Sequence, residues 1–342
     1  MVNAEFSTLC RNHAFSLKKP LYNGLLLDYI RDKFDLSRFF SIYSYLGTEI
    51  ELVAESNIFF KKITLNLRGK LIDLSTPRVM GILNVTPDSF YDGGKFSQNN
   101  QQFLAQVEKM LREGATIVDV GGYSSRPGAA DVSADEEKTR VATAISLIAQ
   151  HFPEANISVD TFRAEVAEEA LAAGACMIND ISGGTLDERM FDVVAQHQVP
   201  YILMHMRGTP QTMKQLTDYD NIVVDILDYF QRKVALLREK KVIDIILDPG
   251  FGFAKTIDQN YILLKNLQAF QILGLPILAG LSRKSLIYKR LGFAPGEALN
   301  GTSVLNTVAL MHGASLLRVH DVKEAVEAIQ LTQYMREERQ TF

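Results

Sequence analysis

The sequence has only two cysteines, Cys10 and Cys176, too few for a disulfide framework, and no Cys/His group at zinc-ligand spacing. No apolar run approaches the ~18 residues that cross a bilayer, which excludes a transmembrane helix. The opening residues MVNAEFSTLCRNH lack the charged-then-apolar layout of a signal peptide, so a cytoplasmic location is expected. Charge is nearly balanced: 36 Lys+Arg against 40 Asp+Glu leave a net of −4 over 342 residues. General binding of nucleic-acid backbones is thereby excluded, while a local basic site remains open. Internal repeats and low-complexity tracts are missing too. What remains, 47% apolar and 22% charged, is the make-up of an ordinary soluble enzyme-sized chain.

Short apolar, β-branched runs recur at Val79–Val85, Thr116–Val120, Ile157–Asp160, Cys176–Asn179, Tyr201–His205, Val242–Leu247, Pro276–Ala279 and Ser315–Val319. Helical stretches separate them. Phe103, Val107 and Met110 fall on one helical face, with Gly114 where a C-cap belongs, and Ile222, Ile226, Phe230, Val234 and Leu237 make a second stripe. Asp321 with Glu324 opens the last helix like a capping box. Eight buried strands, each followed by a helix, predict an α/β fold of the (β/α)8 TIM-barrel type; an open doubly wound sheet is the competing arrangement. Ahead of the barrel, Ile63, Leu65 and Leu67 alternate with polar residues. Arg68-Gly69-Lys70 then turns into Leu71-Ile72-Leu74, a predicted β-hairpin capping the barrel bottom. Residues 1–58 form an additional N-terminal segment without recognisable chemistry, with one possible helix (Leu25–Phe34) and one possible strand (Glu49–Val53). The expected division is therefore a 1–58 extension and a 59–342 barrel that includes the hairpin.

A parallel barrel carries its site at the C-terminal strand ends. Each run here finishes in polar groups: Asn84, Asp119, Asp160, Asn179-Asp180, His205, Asp248, Ser282-Arg283-Lys284-Ser285 and Arg318-Val319-His320-Asp321. They sort into two kinds of subsite. Arg126, Arg318, His320 and Lys284, with Ser125 and glycine amides, suit a phosphate or pyrophosphate. Asp160, Asn179 and Asp248 come off buried strands, where an unpaired carboxylate is expensive, and need a partner with donors such as the edge of a heterocycle. Phe253 and Met204 supply flat apolar walls for it. Each residue also has a plainer reading. Asp180 and Asp321 are read as caps or loop anchors, His205 as either a ligand or a satisfied core histidine. The glycines of DPGFG are also read as turn formers, and Arg140 and Lys289 as solvated helix charges.

GILNVTPDSFYDGG (Gly81–Gly94) and DVGGYSSRPGA (Asp119–Ala129) resemble the two signature segments of the dihydropteroate synthase family. The likeness continues through SVDT (158–161), ND (179–180), LDPGFGF (247–253), LSRKS (281–285) and RVHD (318–321), covering about residues 60–340 in order. The resemblance implies a TIM-barrel transferase of folate biosynthesis. It joins (7,8-dihydropterin-6-yl)methyl diphosphate to 4-aminobenzoate, is dependent on Mg²⁺, and releases diphosphate in a dissociative mechanism. Carried over position by position, Asp160, Asn179, Met204, Asp248, Phe253 and Lys284 would bind the pterin, and Asn84, Ser125, Arg126, Arg318 and His320 the diphosphate. Phe90, Ser125, Pro127 and Ser285 would line the aminobenzoate pocket, Asn84 and Asp92 would hold Mg²⁺, and Asp160, Lys284 and Arg126 would be the catalytic residues. Implied partners are these small substrates and a second copy of the chain, with no nucleic acid or membrane; sulfonamides compete with aminobenzoate in this family.

The sequence departs from the family pattern at Tyr123, where an acidic residue is common, and at Ser125, where Thr is. Three rival readings compete with this one. A methyltransferase using methyltetrahydrofolate has no use for the SSRPG and RVHD anion cluster. A Schiff-base aldolase would set Lys284 in an apolar strand interior, whereas Arg283 and two serines flank it. A catalytically silent pterin binder would be favoured by loss of Asn84, Arg126, Lys284 or His320, and all four are present.

Overall fold

The computed structural model describes residues 63–85, 98–123 and 132–336. The N-terminal segment, with its possible helix and strand, lies outside the described residues, as do Phe90, Asp92, Ser125, Arg126 and Pro127.

Two short antiparallel strands, β1 (Thr64–Leu67) and β2 (Lys70–Asp73), form the predicted hairpin. Its tip is Arg68-Gly69, with φ of 54° and 80°, the left-handed pair that a two-residue turn between twisted strands requires. The remaining strands are β3 (Arg78–Asn84), β4 (Ile117–Gly121), β5 (Asn156–Asp160), β6 (Met177–Asp180), β7 (Tyr201–Met204), β8 (Ile245–Asp248), β9 (Leu278–Ala279) and β10 (Leu316–Val319). They make one parallel sheet in the order β8-β7-β6-β5-β4-β3-β10-β9. A parallel bridge between Leu247 and Ile277, with Leu247 N donating to Pro276 O at 2.9 Å, brings β8 against the β9 segment. The barrel expectation holds in place of the open sheet, and all eight expected runs contain a strand.

The helices are α1 (Gln98–Arg112), α2 (Ala134–His151), α3 (Ala164–Ala172), α4 (Met190–His197), α5 (Ile222–Glu239), α6 (Ile257–Lys265), α7 (Ser285–Leu291), α8 (Leu299–Met311) and α9 (Val322–Arg336). Both apolar stripes read from the sequence pack inward: Phe103, Val107 and Met110 on α1, and Ile222, Ile226, Phe230 and Leu237 on α5, are buried. Val234 is only half-buried. Gly114 follows α1 with φ of 102°, as a C-cap glycine should. Asp321 directly precedes α9, yet its two carboxylate oxygens take the Arg283 guanidinium at 2.9 and 2.5 Å.

Leu65 and Leu67 of the hairpin are fully buried among Met80, Ile117, Met177, Ile202, Ile246, Leu278 and Leu316, which close the lower end of the barrel. The hairpin is thus a plug, and the polar strand ends lie at the opposite mouth. No described helix is long and apolar enough to cross a membrane. Leu67→Ala should lower stability by about 2–5 kcal/mol, the cost of a buried leucine and the cavity it leaves. Urea unfolding checks this; a loss below about 1 kcal/mol would mean that the plug is not part of the cooperative core.

Candidate active site

Strand register sets the site. Asn84 pairs with Gly121, Gly121 with Asp160, and Asp160 with Asn179, so these residues share one rung across β3, β4, β5 and β6. Met204 pairs with Asp248 on the neighbouring strands. Asn84 is exposed, Asp160 half-buried, and Asn179, Met204 and Asp248 are buried.

A charge network spans this rung. Asp119 on β4 is fully buried, and its Oδ2 accepts from Arg318 Nε at 2.6 Å and from Asn179 Nδ2 at 2.9 Å. The other arm of Arg318 donates to Asp160 Oδ2 at 2.5 Å. One guanidinium therefore serves two carboxylates, and its pKa is raised because those anions outweigh the cost of burial. Asp119 Oδ1 is buried without a hydrogen-bond partner. Because Asn179 gives its amide N–H to Asp119, its carbonyl oxygen is left as the acceptor end of the side chain. Asp119 was noted in the sequence only as one strand ending among eight; the acid inside the apolar run Ile117–Val120 was the available signal.

Burial pushes the Asp160 carboxyl up to about 7; the Arg318 guanidinium pulls against this, while Asp119, Glu137 and Asp180 add to it. Burial also raises Asp248, opposed by Lys284 and by the Gly250 N–H that its Oδ1 accepts at 2.8 Å. Burial lowers the Lys284 ammonium to about 8, against the pull of Asp248. Lys284 Nζ donates to Phe251 O at 2.5 Å and lies 4.8 Å from the centre of the Phe253 ring. Phe253 and Phe162 pack on Met204, Met206, Met213, Ile181 and Ala254, an apolar wall beside the carboxylates.

The last two strand ends are stapled together. Ser282 Oγ accepts from His320 N at 3.1 Å and bonds His320 Nδ1 at 3.1 Å, next to the Arg283–Asp321 pair. Ser285 opens α7 directly after Lys284. Asp180 is the loop anchor expected of it, accepting from Ser182 N, Gly184 N and Tyr201 OH at 2.7, 2.8 and 2.7 Å. His205 is buried against Tyr229, their ring centres 4.9 Å apart. Tyr123, the departure from the family pattern, stacks edge-on against Phe162 at 5.2 Å. Arg163 covers its ring at 5.5 Å, and its hydroxyl accepts from Gln211 Nε2 at 2.9 Å.

The structure thus brings Asp160, Asn179 and Arg318 into one network, and Asp248, Lys284 and Phe253 into another beside it. A parallel barrel whose mouth sets buried acceptors, one lysine donor and flat apolar walls together is a barrel enzyme that takes a heterocycle. The family model described as "Pterin binding enzyme" matches residues 80–320. The dihydropteroate synthase of Escherichia coli K12 is 44% identical over 268 residues, 78% of this chain and 94% of that protein. The Yersinia pestis dihydropteroate synthase, solved with a sulfonamide drug, superimposes with a TM-score of 0.73 at 43% identity, over 80% of this chain and 99% of that one. The Xanthomonas albilineans enzyme, solved with 4-aminobenzoic acid, gives a TM-score of 0.73 at 38% identity, over 82% and 100%. The chain belongs to the dihydropteroate synthase family, transferases of folate biosynthesis.

The raised Asp160 carboxyl has a consequence for stability. Between its ordinary 3.8 and about 7, the folded chain keeps a proton that the unfolded chain has released. Its contribution is therefore full at low pH and falls as pH rises through that window. Asp160→Asn should remove that part of the decline. Urea unfolding of both proteins from about pH 4 to about pH 8 tests it, and an identical slope in the variant would assign the decline to other groups.

Proposed function

We propose that this mouth condenses (7,8-dihydropterin-6-yl)methyl diphosphate with 4-aminobenzoate to give 7,8-dihydropteroate and diphosphate. The observation that carries the reading is the polarity of the rim. Asp160, Asp248 and the Asn179 carbonyl oxygen are acceptors, and Lys284 is the donor beside them. An aminopyrimidinone edge offers the complement: an amino group and ring N–H to give, and a carbonyl oxygen to receive. Met204 and Phe253 flank its faces. The 4-aminobenzoic acid of the Xanthomonas relative and the sulfonamide of the Yersinia relative support an arylamine as acceptor. Phe90, Ser125, Pro127 and Ser285 are assigned to that amine.

Charge placement favours a dissociative course. When Asp160 is ionised, three carboxylates, Asp119, Asp160 and Asp248, stand against Arg318 and Lys284. This excess of negative charge stabilises a pterin cation once the leaving group has gone. The leaving diphosphate is assigned to Asn84, Ser125, Arg126, Arg318 and His320. Arg318 commits Nε and Nη2 to Asp119 and Asp160, which leaves Nη1 for an anion. Asp160, Lys284 and Arg126 are the proposed catalytic residues: Asp160 faces the developing cation, Lys284 holds the ring carbonyl, and Arg126 takes charge from the leaving group. Asn84, exposed at the C-terminal end of β3, leaves a carboxamide for a magnesium ion, and no group of three His, Cys, Asp or Glu among the described residues could hold one elsewhere. Asn84 and Asp92 would hold it, consistent with the habit of Mg²⁺ to take one or two protein oxygens and complete its shell with phosphate and water. When bound, it neutralises charge on the diphosphate.

Pyrophosphate release from the pterin diphosphate, measured with and without 4-aminobenzoate and Mg²⁺, tests the whole reading. Release that requires both, with dihydropteroate as product, is the expected result; release without any product containing the arylamine would reject it. Within that assay Arg318 needs a careful variant. Arg318→Ala would strand the buried Asp119 and the half-buried Asp160 carboxylates, at a cost of about 3–5 kcal/mol in stability. Arg318→Lys keeps the charge but loses the fork, and should weaken free pyrophosphate by about 10- to 100-fold, the range of a charge-assisted hydrogen bond. Unchanged affinity by calorimetry would remove Arg318 from the diphosphate subsite.

The assembly is assigned as a homodimer through α8 and α9. Val304 and Met311 on one helix, with Leu331, Tyr334 and Met335 on the other, are exposed, an apolar concentration that a second copy would cover. Sedimentation should give about twice 38.3 kDa; the mass of a single chain at micromolar concentration would reject the dimer.

A further inference from the structure

The connection between β8 and α6, which follows Asp248 and carries Phe253, holds a buried group with no part in the assignments above. Lys255 is 9% exposed. Its Nζ lies 2.9 Å from Gly250 O, 2.9 Å from Phe253 O, 3.2 Å from His205 Nδ1 and 3.4 Å from His205 O. A lysine is almost never fully buried unless paired; here the hydrogen-bonding partners are backbone carbonyls and one imidazole.

The turn explains why a donor is needed there. Gly250, Gly252 and Ala254 all have left-handed backbone, with φ of 71°, 83° and 49°. A Cβ at Gly250 would lie 2.1 Å from His205 O, so the turn rests directly on the end of β7. Gly252 N donates to Asn260 Oδ1 at 2.7 Å, and Tyr219 OH to Ala254 O at 2.9 Å. This path aims the Gly250 and Phe253 carbonyls at a common point. Gly250 O also accepts the Phe253 N–H at 3.1 Å, so without the amine it is Phe253 O that stays buried without a donor, facing another carbonyl. His205, packed against Tyr229, is the fixed post to which the amine ties them.

We propose that Lys255 is a positioning residue for the reaction. From behind the pterin wall its Nζ sets the 248–253 turn, and with it the distance between the Asp248 carboxylate and the Phe253 ring that together receive the heterocycle. The inference rests on the pterin reading of the mouth. Asp248 precedes the turn and Phe253 lies on it, whereas the diphosphate and aminobenzoate assignments lie on other strand ends. Removing the amine must therefore weaken one substrate selectively.

The test is steady-state kinetics on the full chain carrying Lys255→Met or Lys255→Gln, with thermal unfolding alongside. Lys255→Met should raise KM for the pterin diphosphate about tenfold or more, with KM for 4-aminobenzoate and the affinity for pyrophosphate kept within about twofold. Lys255→Gln keeps an N–H₂ donor pair and should fall between the two. A folded Lys255→Met with unchanged pterin KM overturns the proposal, and so does an equal rise in both KM values. Should Lys255→Met fail to fold, Lys255→Gln decides on the same criteria. Failure of the wild-type chain to release pyrophosphate would instead sink the reaction itself, so the two failures are distinguishable.

Discussion

Everything at the mouth of this barrel depends on how Arg318 is shared. A carboxylate taken out of water costs several kcal/mol unless it is paired and hydrogen-bonded. Asp119 and Asp160 stand on adjacent strands and both reach the single guanidinium from β10. That arrangement makes three sequence-distant positions interdependent. Remove the arginine and two acids are stranded; remove Asp119 and Arg318 loses the partner on its Nε. The same pairing determines what is left for a ligand. Asn179 is tied through its amide nitrogen to Asp119, so on the proposed reading its carbonyl oxygen joins Asp160 and Asp248 as an acceptor, from three strands in all.

The fold divides its work between two ends. At the bottom, Leu65 and Leu67 of the hairpin pack into an apolar cluster between the strand starts. At the top, one rung of register partners carries Asn84, Asp160 and Asn179. Parallel strands with evenly spaced hydrogen bonds give little freedom to shift one of these residues without the others. The turn after β8 holds three left-handed positions within five residues, Gly250, Gly252 and Ala254, of which only Ala254 carries a Cβ. Such strain persists only where the surroundings hold it, and here they include Tyr219, Asn260 and Lys255.

Much of this was legible in the sequence because it depends on local pattern. Eight β-branched runs, the Arg68-Gly69 turn and the amphipathic stripes of α1 and α5 are short-range signals, and each reappears in the structure. So does the collection of polar residues at the strand ends, which needs only the direction of the chain. Partner choice was not legible. Arg318 is 199 residues from Asp119 and 158 from Asp160, so only barrel closure brings them together. Asp321 shows the same limit: its spacing to Glu324 reads as a cap, but Arg283 reaches its carboxylate from the neighbouring strand end. Lys255 escaped notice because one lysine after a glycine-rich turn looks like any solvated charge. Tyr123 could be read as a departure from the family pattern, yet its support from Phe162, Arg163 and Gln211 comes from two other loops.

The chemistry proposed for the mouth explains why acceptors dominate it. An arylamine is a weak nucleophile, and a site that relied on the amine to expel the leaving group would have to strengthen it. Ionising the pterin first removes that requirement, provided the cation is held by charge already in place. Preorganised carboxylates serve this well because they need not reorganise when the charge appears. They must also be kept from attracting protons instead, and burial alone pushes both Asp160 and Asp248 in that direction. Arg318 and Lys284 oppose the push, each leaning on the carboxylate it faces. Two cations for three carboxylates is therefore a compromise: enough positive charge to hold the buried Asp160 carboxyl at about 7, and too little to cancel the field that a pterin cation would feel.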